Sequence, residues 1–400
     1  MTYTALIVGG GIAGPLSAIA LREAGIDSVI YEAYEKTADG VGAFLTLAVN
    51  ALDALRVLDL DGVVRKLGFD TPRISIISGS GKTLGELPYG GARADGSASQ
   101  TMRRADLYAT LREEAIRRGV RIEYGKRLVD AEKTETGVLA RFADGTTAEG
   151  DLLIGADGLR SRTREIIDPQ APSARYVGLL NIGGYAKDVK FELEPGVMNS
   201  IFGRSCFFAC MQSPSGEVWW VANPARPVEP TAEELAAIST EQWRAELMAM
   251  FAGDRGPALE VVKATDEFFA GWNTYDFPSV PKWHNGRMVI IGDAAHATSP
   301  SSGQGAAMAI EDTVVLAKCL RDNTDIATAL TKYESLRRER VEAVVELGKK
   351  NGDWKAAGPL ARILRDPIMR VMLKRAARGG NESLRWLYEN KIDWNEPSKV

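Results

Sequence analysis

The chain opens with TALIVGG at residues 4–10, an apolar run closed by glycines, which predicts a short buried strand running straight into a tight turn. IAGPLSAIALREAG follows with helical spacing and a glycine stop, and SVIYE at 28–32 predicts a second strand. Strand, helix and strand over about thirty residues make a βαβ unit, the start of a parallel sheet. Between 72 and 102 the texture changes to short strands broken by glycine turns (ISIISGSGKTLGEL). RADLYATLREEAIRRG predicts a helix over 104–119, and strands are expected at 121–124 and 127–143. The turn Asp144-Gly145 then leads to a buried strand, DLLIGA, at 151–156.

Residues 175–285 carry alternating and aromatic strands (NIGGYA, SIFGRSCFFACM, EVWWVANP) and one amphipathic helix over 232–252. Residues 287–320 return to strand followed by helix, and 324–390 are mostly helical. The expected fold class is therefore α/β, a Rossmann-like nucleotide-binding domain interrupted by a mainly antiparallel sheet, with a helical C-terminal tail. Its parts are 1–72, 100–174 and 286–350 for the first domain, 73–99 and 175–285 for the second sheet, and 351–400 for the tail.

Bulk composition narrows the function classes. With 400 residues, 45% hydrophobic and 26% charged, the chain has room for two cores and an ordinary globular balance. A net charge of -4 leaves no footprint for nucleic acid. Cys206, Cys210 and Cys319 are too scattered for a disulfide framework, as in a reducing cytoplasm. The apolar stretch 5–20 imitates a signal peptide, but no basic residue precedes it and glycines interrupt it. No other stretch is long enough to span a bilayer, and the chain reads as cytoplasmic. His284 and His296 with three dispersed cysteines lack the spacing of a metal site.

Gly9, Gly11 and Gly14 have the GxGxxG spacing: a tight turn, a close approach to pyrophosphate, and close helix–strand packing. Glu32 ends the second strand eighteen residues after Gly14, where a carboxylate accepts from ribose hydroxyls. NAD and FAD share that fingerprint. The tie-breaker is the stretch 289–312, VIIGDAAHATSPSSGQGAAMAIED. Asp293 follows a buried run, where a carboxylate reaches a second set of hydroxyls, those of a ribityl chain. The helix opening at Gly303-Gln304-Gly305 points its positive end at a flavin ring, favouring the anionic reduced form. Between these lies LLIGADGLRSRTR at 152–164. There Asp157-Gly158 ends a strand, followed by Ser161 and Arg164 with Arg160 and Arg162 nearby. A phosphate-bearing cofactor and a solvated basic face are both open readings of those arginines.

GxGxxG with Glu32, DGxxSxxR at 157–164, and GD at 292–293 with PxxGQG at 300–305 together resemble the single-component FAD-dependent aromatic hydroxylases, the para-hydroxybenzoate hydroxylase class. The resemblance spans about residues 3 to 350. It implies FAD held by Gly11, Glu32, Asp293 and the loop from Gly303 through Gln304 and Gly305 to Ala306. It further implies that Arg104 contacts the cofactor, that the backbone at Leu128 lies against the adenine side, and that Gly42-Ala43 passes beside the flavin. The family associates the DG element with both FAD and NADPH. The chain has no second GxGxxG, which agrees with NADPH or NADH visiting the flavin transiently. The implied reaction is hydroxylation or epoxidation of an electron-rich, aromatic or polyketide-like molecule by molecular oxygen through a flavin hydroperoxide.

Open alternatives are a flavin-dependent halogenase, whose WxWxIP element is replaced here by WWVANP, an isoprenoid-modifying relative, and a flavin-binding redox sensor without turnover. His296 is expected to hydrogen-bond within its loop, since flavin supplies the reactive centre. No protein nucleophile is assigned. Substrate-lining residues are expected from the second sheet: Tyr185, Arg204, Phe208 and one of Trp219 and Trp220, with Trp220 chosen, along with Phe44 and Pro300 from the flavin side. Cys206 and Cys210 are expected to pack as small hydrophobes. The basic stretch Lys355, Arg362, Arg365, Arg370, Lys374, Arg375 and Arg378 reads as a solvated face of a packed helix rather than a membrane-surface helix. A monomer or homodimer is expected.

Overall fold

A computed structural model describes residues 3–35, 43–90, 96–355, 359–378 and 384–398. Five parallel strands form the first sheet, in the order Met288–Ile290, Leu152–Gly155, Thr4–Val8, Asp27–Tyr31, Arg121–Glu123. Its strands come from three separate stretches of chain, so one sheet is assembled from segments far apart in sequence. The central strands are buried on both faces, and this is why they read as unbroken apolar runs rather than alternating ones. The helices Ala13–Glu23 and Gly305–Asp322 lie together over this sheet and join its core through Leu16, Ile19, Met308 and Ile310.

The stretch expected as one strand over 127–143 is two, Leu128–Lys133 and Val138–Phe142. A turn divides them: Thr134 N donates to Gly137 O at 3.0 Å, and Gly137 N donates to Thr134 Oγ1 at 2.9 Å. With Thr147–Gly150 they make an antiparallel meander.

The second large sheet has seven strands, in the order Thr265–Asp276, Arg175–Ala186, Val218–Asn223, Phe207–Gln212, Val197–Phe202, Arg73–Ser78, Thr83–Pro88. Every pairing is antiparallel except that of Val197–Phe202 with Arg73–Ser78. A three-stranded sheet of Phe44–Leu47, Ser99–Arg103 and Gly68–Thr71 lies between the two large ones in sequence. Strand alternation splits the second sheet into two faces. The outer face buries Ile182, Phe208, Cys210, Trp220 and Ala222 against Trp243, Leu247 and Phe251 of the helix Thr240–Phe251. Phe207, Ala209, Trp219, Val221 and Asn223 occupy the inner face.

The helix expected over 232–252 is also two, Ala232–Ala236 and Thr240–Phe251, because Ser239 starts a new helix with a capping box to Gln242. The helix Ile326–Lys355 runs through the boundary expected at 350. The helix Pro359–Arg378 packs on the strand Thr83–Pro88. Arg365 is not solvated: it is buried and donates to Phe202 O at 2.7 Å. The outer side of this helix carries exposed Leu364, Ile368, Val371 and Met372 as well as charges. Among the described residues no helix is long and apolar enough to cross a membrane, and no cluster of His, Cys, Asp or Glu is arranged to hold a metal. All three cysteines are free and buried.

Candidate functional site

The glycine turn is built by steric exclusion at two positions and left open at a third. Gly9 has φ +106, and a Cβ there would lie 2.4 Å from the Ala156 carbonyl oxygen. A Cβ on Gly14 would lie 2.0 Å from the Gly9 carbonyl oxygen. Those two glycines serve the fold. A Cβ on Gly11, by contrast, meets nothing within 4 Å. Among the described residues no protein atom demands a glycine at 11, so the space above it is open to a closely approaching ligand. The helix that follows has no side-chain cap and no acid in its first turn, so its N–H groups face outward unpaired by side chains. Glu32 braces this turn, accepting from Gly10 N at 2.6 Å and from Tyr34 N at 2.9 Å. Lys126 N donates to Glu32 O at 2.8 Å, which brings the segment leading to buried Leu128 alongside the end of the second strand.

The DGxxSxxR element folds onto itself. Asp157 accepts from Ser161 Oγ at 2.5 Å and from Thr163 N at 2.9 Å, and Ser161 caps the helix Arg162–Ile167 by accepting from Arg164 N. Arg164 is buried, donates to Ala294 O at 2.9 Å, and lies 4.3 Å from the Phe277 ring centroid. Arg162 donates to Val129 O and pairs with Glu165. Of the arginines offered to phosphate, Arg164 is instead a tie between the DG and GD elements.

Asp293 stands exposed at the start of the short helix Asp293–His296, with no hydrogen bond among the described residues. Arg104, which donates to Tyr108 Oη at 2.7 Å, lies within its field. Desolvation lowers the Arg104 pKa, but Tyr108 and Asp293 outweigh it and the net shift is upward. Gly292 (φ +58) and Gly303 (φ +64) occupy left-handed backbone where a side chain is strained. Gln304 precedes the helix Gly305–Asp322 and is buried; its Oε1 accepts from Asn50 Nδ2 at 3.1 Å and its Nε2 has no partner. The first turn of that helix, which includes Gly305 and Ala306, has no side-chain cap and no acid. The two loops thus carry an exposed carboxylate, an uncapped helix start and a buried amide nitrogen with no partner among the described residues.

Beneath these loops lies a buried charge network. His296 Nε2 is 2.6 Å from Asp312 Oδ2, and that same oxygen accepts from Gly292 N at 2.9 Å. His296 is thus a loop anchor. Glu311 accepts from Asn50 Nδ2 at 2.8 Å, and Arg337 pairs with both acids. Sequence reasoning missed Glu311, Asp312 and Arg337, although an acid pair inside an apolar helix was a visible signal.

Gly42 lies outside the described residues. Ala43 O accepts from Arg104 N at 3.1 Å, and Phe44 pairs with Arg103 across the small sheet. Phe44, Phe69 and Tyr185 surround Trp219 at centroid distances of 5.7, 5.2 and 5.2 Å, with Arg103 4.3 Å above the Tyr185 ring. Glu217 holds both Arg103 and Trp219 Nε1, at 2.9 and 2.8 Å. Among the described residues the Tyr185 hydroxyl is buried without a hydrogen-bond partner, and burial raises its pKa to about 12 against the opposing Arg103.

The structure does not bring the other substrate candidates here. Trp220 and Phe208 stack on the outer face, 5.4 Å apart, because alternation turns them away. Arg204 sits exposed in the turn after Phe202, its backbone N donating to Asp254 at 3.0 Å, and not inside an apolar strand. Pro300 is exposed at the start of the Pro300–Ser302 turn. Sequence reasoning missed Arg103, Glu217 and Phe69, whose hydrophobic or charged character alone does not reveal a facing.

A family described as FAD binding domain matches residues 2–347. The chain is 31% identical over 375 residues to aurachin C monooxygenase/isomerase of Stigmatella aurantiaca, covering 92% of this chain and 94% of that protein. It is 31% identical over 354 residues to FAD-dependent urate hydroxylase of Klebsiella pneumoniae, covering 87% of this chain and 89% of that one. The crystal structure of Klebsiella pneumoniae HpxO complexed with FAD and uric acid matches with a TM-score of 0.84 at 27% identity, over 96% of this chain and 97% of that chain.

Proposed function

The chain belongs to the FAD-binding family of flavoprotein monooxygenases, the para-hydroxybenzoate hydroxylase class, and on that premise we propose how its residues serve the reaction and what it oxidises. It is an FAD-dependent enzyme, with NAD(P)H the reductant typical of the family. FAD supplies the redox chemistry when bound, taking a hydride from NAD(P)H and activating molecular oxygen so that one atom enters the substrate and the other leaves as water.

The chain's own part is binding, orientation and exclusion of water. The turn at Gly9, Gly11 and Gly14 with the uncapped helix Ala13–Glu23 receives the pyrophosphate, and Glu32 the ribose hydroxyls. Asp293 accepts from the ribityl hydroxyls, and Arg104 balances its charge. The start of the helix Gly305–Asp322, at Gly303, Gln304, Gly305 and Ala306, offers positive potential to negative charge on the reduced ring. Asp157 and Leu128 serve the cofactor by shaping its surroundings.

The substrate is an electron-rich aromatic small molecule, received on the inner face lined by Phe44, Tyr185 and Trp219. The aromatic cluster around Trp219 supports that class, and the unpartnered Tyr185 hydroxyl supports a polar substituent. A cytoplasmic location, with action as a monomer or homodimer, belongs to the same proposal; three unpaired cysteines favour a reducing compartment.

The observation that carries the cofactor assignment is the exposed, unpartnered Asp293 carboxylate beside an uncapped helix start. Asp293→Ala is expected to fold normally and to lose FAD on gel filtration where the parent protein stays yellow. Equal flavin content in both proteins would remove the assignment.

A further inference from the structure

Lys355, the last residue of the helix Ile326–Lys355, brings a cation to the inner face of the seven-stranded sheet. Its Nζ donates to Asn223 Oδ1 at 2.8 Å and lies 3.9 Å from the centroid of the Phe207 ring. Asn223 is itself fixed: its Nδ2 donates to Asn181 Oδ1 at 2.8 Å and to Leu180 O at 3.1 Å. Asn181 Nδ2 in turn donates to Thr274 Oγ1 at 2.5 Å. Asn181, Asn223 and Thr274 are buried on three adjacent strands. A row of buried polar groups is thus committed to holding one ammonium.

That ammonium is under-satisfied. It has three donors; Asn223 accepts one, the Phe207 face attracts another, and no described carboxylate pairs with it. Burial lowers its pKa to about 7, opposed only by the Cys206 thiol among the described residues. A cation in that condition gains much from an anion. Lys355 keeps part of its surface exposed beside that buried ammonium, which is the side from which an anion would approach.

Its place in the fold links it to the flavin loop. Asn351, one turn earlier on the helix, donates Nδ2 to Ser301 O at 3.0 Å, in the Pro300–Ser302 turn. Four residues at about 1.5 Å each put Lys355 roughly 6 Å along the axis from that grip. Trp354 beside it packs with Phe202, Phe207 and Ala209 on the same inner face that carries Trp219 at its other end.

We propose that Lys355 is the specificity-determining residue for an anionic substituent, a carboxylate on the aromatic substrate, which docks against Asn223 and Phe207. This rests on the reading that the inner face receives an aromatic substrate.

The test uses the FAD-loaded enzyme and two probes of equal shape, benzoate and benzamide, at pH 6, with binding read from perturbation of the flavin spectrum. The parent enzyme is expected to bind benzoate roughly ten- to hundredfold more tightly than benzamide, the scale of one charge-assisted contact. Lys355→Met is expected to abolish that preference while benzamide binding and flavin content hold. Lys355→Gln serves as the second variant should the methionine fail to fold. Equal binding of the two probes by the parent enzyme, binding of neither, or a preference that survives loss of the lysine would each overturn the assignment. An enzyme that keeps FAD and oxidises an aromatic compound without this preference loses only Lys355's role; one that ignores FAD loses the underlying reading.

Discussion

Arg337 Nε lies 2.8 Å from Asp312 Oδ1, and both side chains are buried. The same guanidinium reaches Glu311 Oε2 at 2.6 Å, so one cation compensates two adjacent acids. Through them it reaches two loops: Asp312 holds Gly292 N and His296, and Glu311 holds Asn50, which holds Gln304. The loop that presents Asp293 and the helix start at Gly305 are therefore fixed from one point.

Arg337→Met leaves the acid pair under-compensated in a buried site, with only Arg340 left on Glu311. Loss of one partner from such a buried pair costs about 3–5 kcal/mol. Urea unfolding should show a loss on that scale, and flavin content at equal protein concentration should fall with it. A variant as stable and as yellow as the parent would remove Arg337 from this role.

Acid should expose the same network. Desolvation raises the Asp312 pKa, but His296, Arg337 and the Gly292 N–H outweigh it and hold the carboxyl at about 2, below its ordinary 3.8. A group depressed on folding contributes stability that is full above its unfolded value and lost as pH falls through its folded one. The window is therefore pH 4 down to 2. Urea midpoints measured across it should decline for the parent protein. Asp312→Asn should be less stable at pH 7 and show a shallower decline there; identical acid limbs would contradict the assignment.

Two glycines of one motif should respond oppositely. Gly14→Ala drives a Cβ against the Gly9 carbonyl at 2.0 Å and should destabilise the cofactor-free protein. At Gly11 the added methyl meets no protein atom, so the apo melting temperature should hold, within about 0.5 kcal/mol in stability. FAD affinity should nonetheless drop at least about tenfold, since the methyl enters the ligand's space. Equal effects of the two substitutions would show that the turn is purely structural.

The half of the site proposed for the cofactor could be picked out in the sequence because the features that suggest it are local. Gly9, Gly11, Gly14, Glu32, Asp293 and Gly305 sit at strand and helix ends, where spacing alone fixes what each backbone can approach. The substrate half could not. Trp219 and Trp220 are adjacent, and only sheet register decides that Trp219 joins Phe44 and Tyr185 while Trp220 joins Phe208 in the core. Arg204 misled for a related reason, as a four-residue turn, 203–206, hid inside what looked like one strand. Arg337 and Asn223 were missed because their partners lie far away in sequence, and Lys355, read as part of a solvated face, instead reaches Asn223, 132 residues away. Arg164 was left between a phosphate partner and a solvated face, whereas its carbonyl partner at Ala294 is 130 residues away.

The central claim is that FAD on this scaffold transfers one oxygen atom from molecular oxygen to an aromatic substrate. Its most direct test is turnover under isotopically heavy oxygen gas with NADPH or NADH, after screening aromatic acids for stimulated NAD(P)H oxidation. The expected result is one heavy oxygen atom in the product for each reductant consumed. Product oxygen drawn from water, or a protein that neither carries nor takes up FAD, would contradict it.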